Sequence, residues 1–250
     1  MVIGCVQQQT ASGAASAWAK VEAAQRQFRL PCLLVPQPAH AVLAGELASA
    51  LTCFGELPPE IKRAIQMHDT GWASSDAQQI ERLRSGQAAK ALPVSFLAIS
   101  PAEVEEAWTA SINTVETFSK AGAVVVSRHF TLIAQHDPAH RRFLQAEKSR
   151  QQRLGGSPED IDRWTAALGF CDLVSLYLLS GLRGPEEFPL AHPSSPQAQT
   201  VPPVKMQIDG KTIRFAPAIV RPGSILSIQA LNHPLPPQGP RAETLTWEVQ

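Results

Sequence analysis

The sequence lacks several features by which function is most easily assigned. Its 22 lysine and arginine residues are balanced by 22 aspartate and glutamate residues, so there is no net positive charge to attract nucleic acid or an anionic membrane. The four cysteines form no Cys-x-x-Cys pair, which argues against a zinc ribbon or a thioredoxin-like redox centre. No glycine-rich phosphate-binding loop points to a nucleotide, and no internal repeat is visible.

Long apolar runs and targeting signals are also missing. No apolar run approaches the roughly 18–20 residues that span a bilayer, and the N-terminus lacks the basic start and apolar core of a signal peptide. We therefore expect a soluble, cytoplasmic protein that binds neither membranes nor nucleic acid. At 250 residues, the chain has room for one large domain or for one domain with a small appendage.

Most of the chain carries the residue spacing of amphipathic helices. Between residues 39 and 54 apolar residues recur at intervals of three and four, and a second helix begins at Pro58-Pro59 and ends near Gly71. The polar segment 73–100 reads as a long loop with one helical turn, of the kind that often serves as a lid. Further helices are predicted after the Ser100 cap and over residues 121–135 and 141–154. The last predicted helix begins at residue 157 and ends at residue 181 or 184.

Composition changes after Gly184. Prolines crowd residues 185–203, and the rest of the chain alternates in strand fashion, with a hairpin signal at Asp209-Gly210 whose turn favours type I′ geometry. The sequence therefore predicts a mainly α protein. A helical domain would cover residues 1–184, and a small antiparallel β-rich segment over residues 200–250 would pack against it.

Several side chains that can bind metals fall on the inward faces of separate helices. His40 precedes Leu43, Ala44 and Leu47 by three, four and seven residues, and similar spacing places His68, His129 and Asp172 inward. A buried imidazole or carboxylate costs free energy unless it finds a partner, so this set needs a common partner, which a metal ion supplies.

Asp69 follows His68 directly, and this pair sets a geometric condition. Neighbours on a helix point about 100° apart, so the two side chains can converge only near a helix end. The Gly71 stop provides that end. The predicted metal ligands are therefore His40, His68, Asp69 and Asp172, and their imidazole and carboxylate groups suit a divalent Fe, Mn or Zn ion.

The predicted ligand set points to hydrolysis of a phosphate ester. Two histidines and two aspartates leave coordination positions open, and an open site can lower the pKa of bound water from about 15.7 to about 7 and polarise a phosphoryl oxygen. His129 is interpreted as a further ligand, a general acid or a core residue. Arg128 can clamp a phosphate, remain solvated or pair with a glutamate. A second doublet, His136-Asp137, is followed by Pro138 and is predicted to lie in a loop.

The order of these residues resembles the HD-domain superfamily of metal-dependent phosphohydrolases. His40, His68-Asp69 and Asp172 match its histidine, His-Asp doublet and distant aspartate. The segments QPAHAVLAGELA, MHDTGW, VVVSRHF and FCDLVSLYL are more similar to an uncharacterised bacterial family, domain of unknown function 3891, over about residues 30–250. That family often places a second acidic residue after the doublet, where this chain has Thr70.

The resemblance implies an HD-like helical bundle that hydrolyses a small phosphate ester or a nucleotide. Metal-bound hydroxide would attack phosphorus beside Asp69, with His129 as the proton donor and Arg128 as the charge clamp. A rival interpretation keeps the ligands but assigns di-iron oxygenase chemistry. A non-enzymatic alternative is a ligand-binding or protein-binding module that keeps the scaffold with a structural or vestigial metal site.

Overall fold

The structure of the protein, a computed structural model, describes residues 1–5, 9–10, 15–85, 92–191, 201–235 and 241–250. Eight α-helices lie within this described part: α1 Ala17–Arg26, α2 Gln37–Ala50, α3 Pro59–Gln66, α4 Ala73–Arg84, α5 Pro101–Glu116, α6 Lys120–Ala134, α7 Arg141–Leu154 and α8 Pro158–Leu179. Short 3₁₀ turns cover Thr70–Trp72, Phe96–Ala98 and Pro138–His140. Among these helices, none is both long enough and apolar enough to cross a membrane.

The strands form one large sheet and one small one. They are β1 Val2–Cys5, β2 Gln9–Thr10, β3 Cys32–Val35, β4 Leu182–Arg183, β5 Glu186–Phe188, β6 Val204–Asp209, β7 Thr212–Ala216, β8 Ile225–His233 and β9 Ala242–Val249. Seven of them lie in the order β1-β3-β8-β9-β7-β6-β5, while β2 pairs with β4. The large sheet is mixed, because β7 and β9 run parallel and its other neighbours are antiparallel.

The predicted fold class, a mainly α protein with a small C-terminal antiparallel appendage, is wrong. Strands β1 and β3 come from the first 35 residues, yet β3 pairs directly with β8, with Leu34 opposite Leu231. The sheet therefore draws strands from both ends of the chain. Local periodicity cannot reveal such a pairing, because the partners are separated by almost the whole sequence.

The burial of strand β3 on both faces explains why the sequence did not indicate its place in the sheet. All four of its residues are buried. Leu33 and Val35 belong to the main hydrophobic core, whereas Cys32 and Leu34 belong to a smaller cluster with Leu83 of α4. A strand covered on both faces reads as a continuous apolar run without the alternation of a half-exposed strand.

The division into residues 1–184 and 200–250 stays a prediction. One hydrophobic core contains residues from both of these segments, among them Leu47 of α2, Leu168 of α8 and Trp247 of β9. The C-terminal strands therefore contribute to the interior on which the helices pack.

The helix that follows Ser100 and the helix end before Gly71 are confirmed. The Ser100 side chain caps α5 and Glu103 completes a reciprocal capping box. Helix α3 ends at Gln66, and His68 and Asp69 follow in a turn that leads into the 3₁₀ segment Thr70–Trp72. The doublet thus lies at a helix end, as its convergence requires.

The prediction of a long loop over residues 73–100 is wrong for its first half. Residues 73–84 form α4, whose buried face carries Asp76, Gln79 and Leu83. Two of these three are polar, and their oxygens accept hydrogen bonds from the backbone N–H groups of Gln37 and Val94. The helix escaped notice because its inward face uses hydrogen bonds instead of an apolar stripe.

The predicted hairpin is confirmed, but its turn differs. Strands β6 and β7 pair antiparallel with Asp209 opposite Thr212, so the two loop residues are Gly210 and Lys211. Gly210 has φ of 59°, and no residue other than glycine has positive φ among the described residues. A type I′ turn needs positive φ at both loop positions, so the turn is not of that type.

The place of β3 in the sheet can be tested with two matched leucine substitutions. Leu34 is fully buried between β1 and β8, whereas Leu92 is 58% exposed. Leu34→Ala should lower the free energy of unfolding by about 2–5 kcal/mol, because it leaves a cavity in packed sheet. Leu92→Ala should change it by no more than about 0.5 kcal/mol in urea unfolding. Equal, small effects of both substitutions would contradict the position of β3 inside the sheet.

Candidate metal centre

Four separate elements carry the predicted ligands to one place. His40 lies in the first turn of α2, His68 and Asp69 follow α3, His129 lies in the middle of α6, and Asp172 lies in the middle of α8. Helix α2 packs against α3 and α8, and α6 packs against the same two helices. The side chains that point inward from these helices therefore meet.

Two glycines allow the close approaches that this meeting requires. A Cβ on Gly45 of α2 would lie 2.6 Å from the Cβ of Gln66, so α2 can pass close to the end of α3 only because this position is glycine. A Cβ on Gly71 would lie 2.0 Å from the carbonyl oxygen of Ala107 in α5. The turn that bears Asp69 is thereby held against α5, where the Gly71 N–H also donates to Ser111 Oγ at 2.9 Å.

His40 lies between the two aspartates. Its Nδ1 is 3.4 Å from Asp69 Oδ2, and its Nε2 is 3.1 Å from Asp172 Oδ1. Neither ring nitrogen makes a directed hydrogen bond with any described residue, although His40 is only 1% exposed. Both nitrogens are therefore buried next to carboxylates, but neither forms a hydrogen bond within the described part of the chain.

His68 shows more directly what the site requires. Its Nδ1 lies 2.8 Å from the carbonyl oxygen of Ile65, and because a carbonyl can only accept, Nδ1 must be the donor. In the neutral ring, Nε2 then carries a lone pair, yet it faces Asp69 Oδ2 at 3.6 Å and Asp172 Oδ1 at 3.4 Å. A lone pair facing two carboxylates is repelled unless a proton or a metal cation lies between them.

His129 completes the group from the far side. Its Nε2 is 3.5 Å from Asp172 Oδ2, and its ring centroid is 5.7 Å from that of His68. Within the described residues, two overlapping triads have ligand atoms within 4.8 Å of one another: His40, His68 and Asp69, and His68, His129 and Asp172. All five candidate residues other than Arg128 thus lie in one cluster.

The charges of the cluster shift its pKa values strongly. Burial by itself lowers the pKa of His40, but the neighbouring Asp172 and Asp69 carboxylates outweigh it and raise that pKa to about 9. Burial likewise lowers the pKa of His68, and Asp69 and Asp172 raise it overall. Burial raises the pKa of Asp172, but His129, His40 and His68 hold it well below its usual range. Asp172 is thus stabilised in its charged form by the three histidines around it.

The separations fit a shared ion. Two ligand atoms that each lie about 2.1 Å from one ion are about 3.0 Å apart at a right angle and about 3.4 Å apart at a tetrahedral angle. The five N–O separations in the cluster are 3.4, 3.1, 3.6, 3.4 and 3.5 Å. His40 can bind a given ion through only one of its two ring nitrogens, so its two separations belong to alternative arrangements. The hydrogen bond from His68 Nδ1 to a backbone carbonyl is the support that metal-binding histidines usually have.

A cavity of about 340 Å³ opens onto the cluster. His40, His68, Asp69, His129 and Asp172 all line it, and aromatic side chains supply much of the remaining wall. Asp172 keeps 14% of its side chain exposed, whereas His40 keeps 1%. The cluster therefore lies at the inner end of a cavity that a small molecule can enter.

Arg128, the predicted charge clamp, is not brought to the cluster. Its Nη1 lies 2.6 Å from Asp162 Oδ1 on the neighbouring α8, and Arg128 does not line the cavity. The second doublet, His136-Asp137, also stays outside the two triads. Asp137 caps the 3₁₀ turn Pro138–His140 by accepting from the Ala139 N–H at 2.8 Å.

Sequence reasoning missed a polar pair on the cavity wall. His140 is 8% exposed and lines the cavity, and its Nδ1 lies 2.9 Å from Glu105 Oε1 of α5. Its ring is 5.3 Å from that of Trp108. The inward spacing of Trp108 in α5 was a signal for this wall, but nothing local to Pro138 indicates that His140 turns back toward it.

A comparison with known families assigns the chain to one of them. It matches a family described as "Protein of unknown function (DUF3891)" over residues 25–225, and it belongs to that family. No curated protein and no solved structure matches it.

The close approach at Gly71 can be tested against a second glycine-to-alanine change. Gly71→Ala should lower the free energy of unfolding by about 1–3 kcal/mol, because its Cβ would overlap the Ala107 carbonyl oxygen. In Gly169→Ala the new Cβ would meet only His129 Nδ1, at 3.9 Å, so helix propensity should raise stability by up to about 1 kcal/mol. Denaturant unfolding of both variants measures the difference, and an unchanged Gly71→Ala variant would show that the turn does not press on α5.

Proposed function

We propose that this member of the DUF3891 family is a divalent-metal-dependent phosphohydrolase that acts on a small phosphate ester. The observation that carries the proposal is the surroundings of His68. Its Nε2 lone pair, fixed by the Nδ1 bond to Ile65, faces Asp69 and Asp172 across 3.6 and 3.4 Å. A divalent cation removes this repulsion and offers each of these atoms a bond.

Charge balance supports one divalent ion. Asp69 and Asp172 carry two negative charges in a largely buried place, and one divalent ion offsets both of them. Two protons on the histidines would also balance the charge. In the observed arrangement, however, both His40 nitrogens and His68 Nε2 make no hydrogen bond with a described residue.

The order of the residues supports hydrolysis. His40, His68-Asp69 and Asp172 follow the order that defines HD-domain phosphohydrolases, and these four ligands leave room for water and substrate. A bound divalent ion lowers the pKa of a coordinated water and polarises a phosphoryl oxygen. The cavity that opens onto the cluster gives a substrate access to it.

The protein's own residues divide the remaining tasks. Asp69 and Asp172 fix the charge and the geometry of the ligand set, and the Ile65 carbonyl keeps His68 in its metal-binding tautomer. His129 lines the cavity beside Asp172 and is the proton donor to the departing oxygen in this proposal. Arg128 has no part in it, because Asp162 already binds its guanidinium group.

Metal retention is the first test. Protein purified without added metal should keep about one divalent ion per chain, measured by elemental analysis. His68→Ala and Asp172→Ala should each lose most of it, whereas the control His136→Ala should keep it, because His136 lines the cavity outside the ligand cluster. A metal-free wild type that resists loading with Fe, Mn and Zn would mean that protons hold the cluster together.

Turnover is the second test. The metal-loaded protein should hydrolyse aryl phosphate esters, and His129→Ala should retain the metal while lowering kcat about 10²–10⁴-fold, as expected for loss of a proton donor. Loss of the metal in His129→Ala would make His129 a ligand instead. A metal-loaded wild type without turnover on a phosphoester panel would leave a binding module as the function.

A second candidate, di-iron oxygenase chemistry, is favoured by one observation. The two triads share His68 and together offer five ligand residues, one more than the HD set requires. Two ions per chain in protein loaded anaerobically with Fe(II), together with oxygen uptake on exposure to air, would favour this candidate. One ion and no oxygen uptake would favour hydrolysis.

A further inference from the structure

The wall of the cavity is largely apolar, and five tryptophan and phenylalanine side chains contribute to it. Trp108 and Phe130 stack with ring centroids 5.1 Å apart and planes 17° apart. Trp18 and Phe96 line the same cavity, and Trp18 is 39% exposed. Aromatic faces of this kind bind flat or apolar groups, so the body of a ligand would lie against them.

Lysine and arginine are missing from this wall in the described part of the chain. Within the part of the chain that the structure describes, the residues that line the cavity include Asp69, Asp137 and Asp172 but no lysine or arginine. Arg128, which lies closest to the cluster in the sequence, is engaged by Asp162. Any positive charge for an anionic ligand must therefore come from the bound metal and the imidazoles.

The resulting charge suits one phosphate group and not several. One divalent ion is offset by Asp69 and Asp172, so a phosphate can bind to the ion directly, but a second and third phosphate would meet Asp137, two imidazoles and apolar wall, without a lysine or arginine among the described lining residues. The enzymes that bind triphosphates surround them with lysine, arginine and backbone N–H donors. Among the described residues that line the cavity, none is a lysine or an arginine.

The size of the cavity limits the rest of the ligand. Its volume of about 340 Å³ lies near the lower end of the range of about 300–1,000 Å³ that is usual for small-molecule sites. A single ring or a short apolar chain fits that space beside a phosphate group.

From this wall, charge and volume we infer that the substrate is a phosphate ester with one phosphate group and a ring-sized apolar body, and that nucleoside triphosphates and other polyanions are excluded. The inference rests on the proposed function, since the phosphate is placed by the bound metal. It adds the substrate class, which neither the ligand set nor the family assigns.

The test compares three non-hydrolysed probes on the metal-loaded protein. Phenylphosphonate should bind at least about tenfold more tightly than methylphosphonate, because the two share a head group and differ in the ring that meets the aromatic wall. Phenylphosphonate should also bind at least about tenfold more tightly than a triphosphate with a methylene-bridged terminal group. Calorimetric titration measures all three, and metal content is checked afterwards because a triphosphate can extract the ion.

A lysine introduced at the rim of the cavity can be compared with a lysine introduced away from it. Ile133 of α6 lines the cavity and is 43% exposed, whereas Ile225 lies on β8, is 56% exposed and does not line it. Ile133→Lys should improve triphosphate binding about three- to tenfold, an effect that weakens at high salt, and Ile225→Lys should leave it unchanged. Neither site is in the ligand cluster, so both variants should keep the metal.

The outcomes separate the inference from the proposed function. Triphosphate binding as tight as phenylphosphonate binding, on protein that retains its metal and hydrolyses esters, would overturn the inference alone. Equal binding of phenylphosphonate and methylphosphonate would overturn it as well, because the wall would then not contact the ligand. Protein that retains no metal would overturn both.

Discussion

Two carboxylates, one buried and one half-buried, that face imidazole nitrogens are the constraint on which the rest of the structure depends. Asp69 and Asp172 face different ring nitrogens of His40 and the same Nε2 of His68, at 3.1 to 3.6 Å. Negative charges this close together in a poorly hydrated place are unfavourable without positive charge between them. The centre therefore requires either protons or a cation, and His68, whose Nδ1 donates to Ile65, can take up either of them at Nε2.

The helices can form this centre only because their backbones come unusually close. Gly45 and Gly71 remove the side chains that would otherwise hold α2 away from the end of α3, and the doublet's turn away from α5. Helix α4 contributes at a distance, because Asp76 Oδ2 accepts from the backbone N–H of Gln37 in the first turn of α2, one turn before His40. Helix α4, which lies in the segment that the sequence suggested was a lid, is instead part of the framework that positions His40.

Function and fold use different parts of the same helices. The apolar faces of α2, α6 and α8 build the core, and the candidate site occupies the place where those faces carry a few polar residues. The cavity is then closed by aromatic side chains from α1, the 3₁₀ turn Phe96–Ala98 and α5. A wall of this kind offers mostly apolar contact area around the cluster at its inner end.

Spacing along the sequence was enough to place His40, His68, His129 and Asp172 on inward faces and to end a helix beside Asp69, because helical periodicity is a local property. It also located most helices and the β6–β7 hairpin.

Spacing did not predict the seven-stranded sheet, because β3 pairs with β8 across some 200 residues and no local pattern records that pairing. In the observed register, Cys32 lies opposite His233. Spacing also did not give the engagement of Arg128 by Asp162 or the turn of His140 toward Glu105, since both depend on which helices become neighbours. The sequence alone determined which side chains face inward, and the tertiary structure decided which of them meet, because distance in space is set by packing between elements and not by order along the chain.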